Sequence, residues 1–358
     1  MTIDPVPTFS ARHAVREAVR GMPPGYFALV MATGIVSIAT KDRGIDALSG
    51  ALLWLGILEY ATLVVLYVWR AVAFLPAVRA DLADPSHAFA YFTFVAATDV
   101  LGARLASNSH QGSGSAIVLL CVGGSTWVVL GYLIPWTAVV GHARRPLLHF
   151  ANGTWFIWAV ASQSVAVLAA SLEPSVSSGR RELALMAVFA WSVGTFLYAA
   201  AGIFVAARLL IYPVRPKDLT PPYWVAMGAT AITVVAGARI AGMADAPMVS
   251  ATRGLVAGAS VLFWAFGTWL IPPLIAAGVW RHIVHRVPLR YDASLWSMVF
   301  PLGMYAVGGR YLGQVDRLPV VELIGNGATW VALTVWAITA VAMMGRFLSI
   351  MARPRSGR

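Results

Sequence analysis

Charge is what this sequence has least of. Only 11% of its 358 residues are charged, against 59% hydrophobic, and its mean hydropathy is +0.74. A soluble domain carries about 25% charged residues. This much apolar surface exceeds what one core can bury, so the fold class expected is an all-α polytopic membrane protein. Cysteine is nearly absent. The single Cys121 excludes an intrachain disulfide and any multi-cysteine metal site, and within its apolar run it reads as inert packing. The net charge is +11, yet no basic run is longer than Arg144-Arg145 or Arg180-Arg181. That excludes a tract built for nucleic-acid backbones. HExxH and P-loop motifs are missing, the seven histidines (13, 87, 110, 142, 149, 282, 285) fall near loops, and the GSGS at 112–115 lacks the context of a serine-hydrolase elbow. No metal, cofactor or ATP-driven step is expected. The first 22 residues contain Arg12, Arg16 and Arg20 but no apolar core, so they read as a cytoplasmic arm and not as a signal peptide.

What is present is a series of ten apolar segments, near 24–41, 48–74, 88–106, 115–140, 150–171, 182–211, 222–241, 251–279, 294–312 and 321–350. Each is long enough to cross a hydrocarbon core of about 30 Å as a helix. No long linker divides them. One membrane domain is expected over 23–351, between the arm 1–22 and a basic cytoplasmic tail 352–358. Lysine and arginine in the arm, the even-to-odd connections and the C-terminus number 17, against 9 in the odd-to-even connections. The positive-inside rule then puts both termini in the cytoplasm.

The odd segments are shorter and rich in small residues, as in ALVMATGIVSIAT and AMGATAITVVAGA. The even ones are longer and carry Trp54, Trp127, Trp191, Trp264 and Trp330. Small residues either let helices approach closely or leave space beside an axis. Aromatic residues near the odd starts mark an internal repeat. Aligning Phe27, Ala90, Trp155, Val225 and Trp296 gives spacings of 63, 65, 70 and 71 residues. Five hairpins of one polarity predict a quasi-five-fold ring, with the odd helices around a central pore and the bulky ones facing lipid.

Fourteen residues after those anchors stand Lys41, Arg104, Ala169, Arg239 and Arg310. Four cations at one repeat position suggest an anion-attracting ring, while independent snorkelling at helix ends is the plainer alternative. Asp99 and Glu59 are intramembrane carboxyls for which structural pairing and proton coupling both stay open. Asp99 is the candidate to pair with Arg104 or a neighbouring helix. Ser162, Gln163 and Ser164 are further candidates for a pore lining. Phe300-Pro301 interrupts the ninth segment. Proline removes a ladder bond, which is tolerated where the freed carbonyl meets a pore or a neighbouring helix.

The stretches PGYFALVMATGIVSIA, PPYWVAMGATAI and LWSMVFPLGMYA resemble the tellurite-resistance/dicarboxylate transporter family, which takes in malate permeases, sulfite exporters and slow anion channels. The likeness runs over about residues 20–350, and VMATGIVS and FPLG are its most specific pieces. It implies ten helices in five hairpins around a pore, often a homotrimer, with a ninth-helix phenylalanine as gate. That position here is Phe300. One departure is that the odd segments hold an internal proline only at Pro301, where Ala32, Val95, Val160 and Thr230 are the counterparts. The expectation is a plasma-membrane transporter of small anions, such as C4-dicarboxylates like malate or tellurite-type oxyanions, with no enzymatic activity. A proton-coupled dicarboxylate or sulfite carrier is the alternative in mechanism, and a membrane-embedded enzyme is a distant one.

Overall fold

The computed structural model describes residues 11–107, 113–140, 146–244 and 246–351. His110, His142, the Arg144-Arg145 loop and the tail 352–358 lie outside the described residues. Twelve α-helices follow in chain order. They are α1 (Ala11–Arg20), α2 (Ala28–Asp42), α3 (Asp46–Ala73), α4 (Leu75–Ala83), α5 (Phe92–Ala106) and α6 (Ser113–Val140), then α7 (Phe156–Leu172), α8 (Arg180–Ile211), α9 (Val225–Ala241), α10 (Pro247–Val279), α11 (Trp296–Val315) and α12 (Pro319–Met351). All ten apolar segments are helical. Among the described residues, eight helices are long and apolar enough to cross a membrane. The other two segments hold α2, only 15 residues long, and α11, which carries Arg310 and Gln314 in 20 residues. Length and composition therefore carry eight crossings, not ten. α1 meets the 24–42 segment at 85°.

Five helices are entered through a 3₁₀ turn: Pro24–Phe27 before α2, Ala88–Tyr91 before α5, Gly153–Trp155 before α7, Pro221–Trp224 before α9 and Ala293–Leu295 before α11. The local chemistry suits a helix start. Pro24 and Pro221 occupy first-turn positions where a missing N–H costs nothing, and the Asn152 and Asp292 side chains accept from the backbone N–H of Thr154 and Ser294 at 2.8 Å.

These same five helices pack on one another in a closed order: α2 on α5, α5 on α7, α7 on α9, α9 on α11, and α11 back on α2. Each also pairs with the long helix that follows it. Every residue of α2 from Ala28 to Thr40 is buried. In the most apolar stretches of α5, α7 and α9, 78–89% of residues are buried, against 11–39% in α3, α6, α8, α10 and α12. The long helices thus present apolar surface outward, where lipid replaces a protein partner. Cys121 lies on that exposed surface of α6 and does not pack inside as expected.

The glycines decide the question of small residues in favour of close packing. A methyl group on Gly34 would stand 2.9 Å from Val100, on Gly102 2.7 Å from Leu168, on Gly228 2.7 Å from Pro301, and on Gly303 2.6 Å from Ile35. Each contact joins two inner helices. Glycine is therefore spent on helix-to-helix approach and not on widening an axis.

Each hairpin is also hydrogen-bonded to the next. Tyr60 of α3 meets Thr98 of α5 hydroxyl to hydroxyl at 2.9 Å, and Trp127 of α6 donates to Ser162 Oγ of α7 at 2.8 Å. Trp191 of α8 donates to the Thr233 carbonyl of α9 at 3.2 Å, Thr268 of α10 meets Tyr305 of α11 at 2.8 Å, and Trp336 of α12 donates to Thr33 Oγ1 of α2 at 3.1 Å. Of the tryptophans singled out in the sequence, Trp54 and Trp330 are exposed, and Trp264 instead stacks on Tyr305.

Candidate functional site

Among the described residues, a narrow void touches all five inner helices. Ile35 and Ile38 come from α2, Val100 and Ala103 from α5, Val167 from α7, Val235 and Arg239 from α9, and Met304, Val307 and Tyr311 from α11. Its volume is about 10 Å³, room for one water at most. Apart from Arg239 and Tyr311 the walls are apolar, so the inner helices close on one another at this level. The contributing residues on α11 recur at three- and four-residue steps, which is one stripe of a helix facing the others.

Phe300 lies on that same α11 stripe, one turn before Met304, and is 1% exposed. The adjoining Pro301 ring does not share this face, for it packs against Gly228 of α9. The freed ladder position thus lies against a neighbouring inner helix. Phe94, the counterpart of Phe300 in the sequence alignment, turns elsewhere: it packs against Phe27 at 5.1 Å and Tyr60 at 6.1 Å. Counting from the first α-helical residues instead, Phe300 corresponds to Ala32, Ala96, Val160 and Ala229. A phenyl group occurs at this level on one helix of the five.

The four predicted cations all lie toward the C-terminal ends of inner helices, yet they do different things. Arg239 lines the void. Its guanidinium sits 4.9 Å over the Tyr311 ring, one Nη donates to Tyr311 Oη at 3.0 Å, and its Nε is buried without a partner. Arg104 is 3% exposed and turns into the first hairpin, donating to Ser37 Oγ and Ser49 Oγ at 2.8 Å each. Arg310 donates to Asn326 of its own hairpin at 2.8 Å, and Lys41 Nζ donates to the Ser107 carbonyl at 2.6 Å. One residue of helix is about 100° of rotation. The 3₁₀ turns shift the true helix starts against the aromatic anchors by up to two residues. Equivalent numbering therefore does not give equivalent direction. Asp42, which the sequence reading passed over, lies among these groups; Tyr311, Arg239, Arg310 and Lys41 are the partners around it, and its Oδ2 is buried without a hydrogen bond. A carboxylate next to Lys41 at the end of the first inner segment was the available signal.

The two remaining carboxyls sit between hairpins. Asp99 Oδ2 accepts from Ser164 Oγ of α7 at 2.8 Å, while Oδ1 lies against Gly123 of α6 and has no hydrogen bond. Glu59 of α3 has Thr33 within reach, and its Oε2 is buried without a partner. The three consecutive polar residues of α7 go to three different helices: Ser162 to Trp127 of α6, Gln163 Nε2 to the Trp191 carbonyl of α8 at 3.0 Å, and Ser164 to Asp99 of α5. None of them lines the axial void.

At the opposite end, arginines of the long helices hold the connectors. Arg70 donates to the Arg20 carbonyl at 3.1 Å and to Tyr91 Oη at 3.1 Å, and pairs with Asp81 at 2.6 Å. Arg208 donates to the His149 carbonyl at 3.0 Å. Arg281 Nη1 donates to the carbonyls of Pro216, Lys217 and Leu219 at 2.8–3.2 Å.

Comparison with known proteins agrees with a transporter. An uncharacterized transporter of Methanocaldococcus jannaschii is 24% identical over 336 residues, 91% of this chain and 93% of the relative. A second from the same organism is 22% identical over 344 residues, 94% and 97% of the two chains. An uncharacterized membrane protein of Mycobacterium tuberculosis is 67% identical over 163 residues, 46% of this chain and 82% of the relative. The profile of the voltage-dependent anion channel (SLAC1) family matches residues 21–344. The closed set of buried inner helices therefore comes with a known lineage: the chain belongs to the voltage-dependent anion channel family, and that membership implies anion transport across a membrane.

Proposed function

We propose that anions cross along the quasi-five-fold axis enclosed by α2, α5, α7, α9 and α11, with all ten segments spanning the membrane. The observation that carries this reading is the axial void, to which each inner helix contributes and on which Arg239 is the cation. Phe300 and the Met304 level form the closed gate. A phenyl ring in a dry apolar passage offers a hydrated anion no polar partner. Arg239, with Lys41, Arg104 and Arg310 near the same end, raises the local anion concentration at the mouth. The substrates are small anions, C4-dicarboxylates such as malate or tellurite-type oxyanions, and the working unit is a homotrimer in the plasma membrane.

The test is anion efflux from proteoliposomes at fixed voltage, with chloride, nitrate, sulfite, tellurite and malate in competition. Flux of at least one of them, independent of a pH gradient, is the expected result. Absence of flux in folded protein refutes the reading. A second mechanism has its own observation, the unpartnered buried oxygens of Glu59 and Asp99. Neither faces the axial void, and strict dependence of flux on a proton gradient, lost in Glu59→Gln or Asp99→Asn, would favour that carrier. Both termini lie in the cytoplasm in this reading. In a Cys121→Ser background, an impermeant thiol reagent added to intact cells should label Arg317→Cys and spare Lys217→Cys; the reverse pattern would invert the topology.

A further inference from the structure

The outward surface is not evenly convex. Between α8 and α10 it opens into a crevice of about 780 Å³, within the range of pockets that enclose small ligands. Small residues hollow its walls: Gly202 and Ala206 on α8, and Pro273 and Ala277 on α10. A methyl on Gly202 would have only one neighbour within 4 Å, at 4.0 Å, so the space beside it is open. The walls are otherwise apolar and aromatic, and the floor is the 3₁₀ turn that enters α9. Both flanking helices are mostly exposed spans, so within one copy of the chain the crevice opens toward the bilayer.

One end of the crevice is basic. Arg281 and His282 line it. The Nη1 of Arg281 is occupied by three connector carbonyls, but its Nε is buried with no partner. His282 is turned by its Nδ1 contact with the Val287 carbonyl at 2.8 Å. The backbone is irregular here. Residues Trp280–Val284 form a π-helical turn, and Arg286 has φ +51°, a left-handed conformation unfavourable for a residue with a side chain. Arg286 and Arg290 add charge in the same connector, while the nearby acid Asp218 is already engaged by Arg215 at 3.2 Å. Irregular backbone that collects cations beside an apolar slot is the pattern of a headgroup site.

We propose that this crevice binds an anionic phospholipid, with an acyl chain along Gly202 and Ala206, the phosphate at Arg281 and His282, and Arg286 of the adjoining connector adding to the positive potential there. Charge complementarity selects the anionic class. The unpartnered Nε supplies a donor that a phosphate oxygen can satisfy, and the apolar walls exclude a soluble phosphate as the natural occupant. The site does not depend on which ion the axis conducts.

Native mass spectrometry of the delipidated full-length protein, titrated with phosphatidylglycerol or phosphatidylcholine, tests this. Two cations at about 1 kcal/mol each predict a roughly 30-fold preference for phosphatidylglycerol. Gly202→Trp should abolish retention of either lipid. Gly258→Trp, on an exposed part of α10 with nothing near the added side chain, should not. Arg286→Gln keeps the Arg281 bonds to the connector and should cut the preference to roughly fivefold, which keeps the test open if Gly202→Trp misfolds. Equal retention of the two lipids by the wild type overturns the proposal. So does Gly202→Trp protein that retains lipid normally. A Gly202→Trp protein whose oligomeric mass changes while its lipid preference stays would make this face a contact between copies instead.

Discussion

The two ends of the molecule use arginine in opposite ways. At the end where the 3₁₀ turns enter the inner helices, Arg70, Arg208 and Arg281 reach from long helices to backbone carbonyls and to Asp81, and so fix the connectors. At the other end the cations belong mainly to the inner helices, and they divide. Arg104 turns to Ser37 and Ser49 and Arg310 sets one Nη on Asn326, whereas Arg239 lines the axial void with an unpartnered Nε beside Tyr311. What separates Arg239 from the other two is the direction of its side chain, onto the void between the inner helices, and not its place in the repeat.

The comparison can be broken or sharpened by substitution. The largest effect is expected at the axis itself. Phe300→Ala should lose about 3–5 kcal/mol of stability from the cavity it leaves, yet raise anion flux per folded molecule in liposomes. Phe94→Ala, which removes a ring from the packing with Phe27 and Tyr60, should destabilise without raising flux. A folded Phe300→Ala protein conducting no more than wild type would remove the gate. Next, Arg70→Ala should cost about 3 kcal/mol, because Asp81 loses its partner and the Arg20 carbonyl its donor. The melting temperature in detergent should fall while flux per folded molecule holds. Arg239→Gln should lower flux about fivefold at low ionic strength, near 1 kcal/mol for one charge in a water-like medium, with the loss shrinking as salt is added. Arg310→Gln should change flux much less, and equal losses in the two variants would restore the ring of equivalent cations.

The smallest effect concerns pH at the connector end. Burial pushes the Asp218 carboxyl up, but hydrogen bonds from the Arg215 backbone and side chain, with the charges of Arg215 and Arg208, outweigh it and hold the group below the usual carboxylate range. A depressed carboxyl stabilises above its unfolded value near 3.9 and loses that contribution as pH falls through the folded value. The group sits in a surface connector and its Arg215 partner is exposed, so Asp218→Asn should cost less than about 1 kcal/mol at pH 7. The difference from wild type should shrink as pH falls below the unfolded value near 3.9. A melting-temperature difference that persisted in acid would show that packing, not charge, was lost.

Much of the architecture was legible because lipid enforces a simple rule. Backbone polar groups must be satisfied within each helix, so long apolar runs are helices, and their alternation in length and residue size separated buried from exposed partners. The rotation of particular side chains was not legible. Arg104 and Arg239 fall at the same step from their repeat anchors, but Ala90 lies two residues before the start of α5 whereas Val225 is the first residue of α9, and that is enough to turn one guanidinium toward serines and leave the other on the axial void. The inter-hairpin bonds escaped for a related reason. Trp330 and Trp336 are indistinguishable by composition, and only their positions around α12 make one exposed and the other a donor to Thr33.

That last bond has a consequence for biosynthesis. Trp336 and Thr33 are 303 residues apart, and α11 and α12 pack on α2. The α2–α3 hairpin is made before α11 and α12, and until they follow one of its flanks is uncovered. Until then the growing chain is an open crescent whose two free edges expose glycine-lined surfaces and hydroxyls. A chain stopped after α10 leaves Gly34 and Thr98 served, but Ile35 lacks its Gly303 contact and Thr33 its Trp336 donor. Closure of the circle therefore requires α11 and α12, and an uncovered α2 flank distinguishes a chain that lacks them from one that has them.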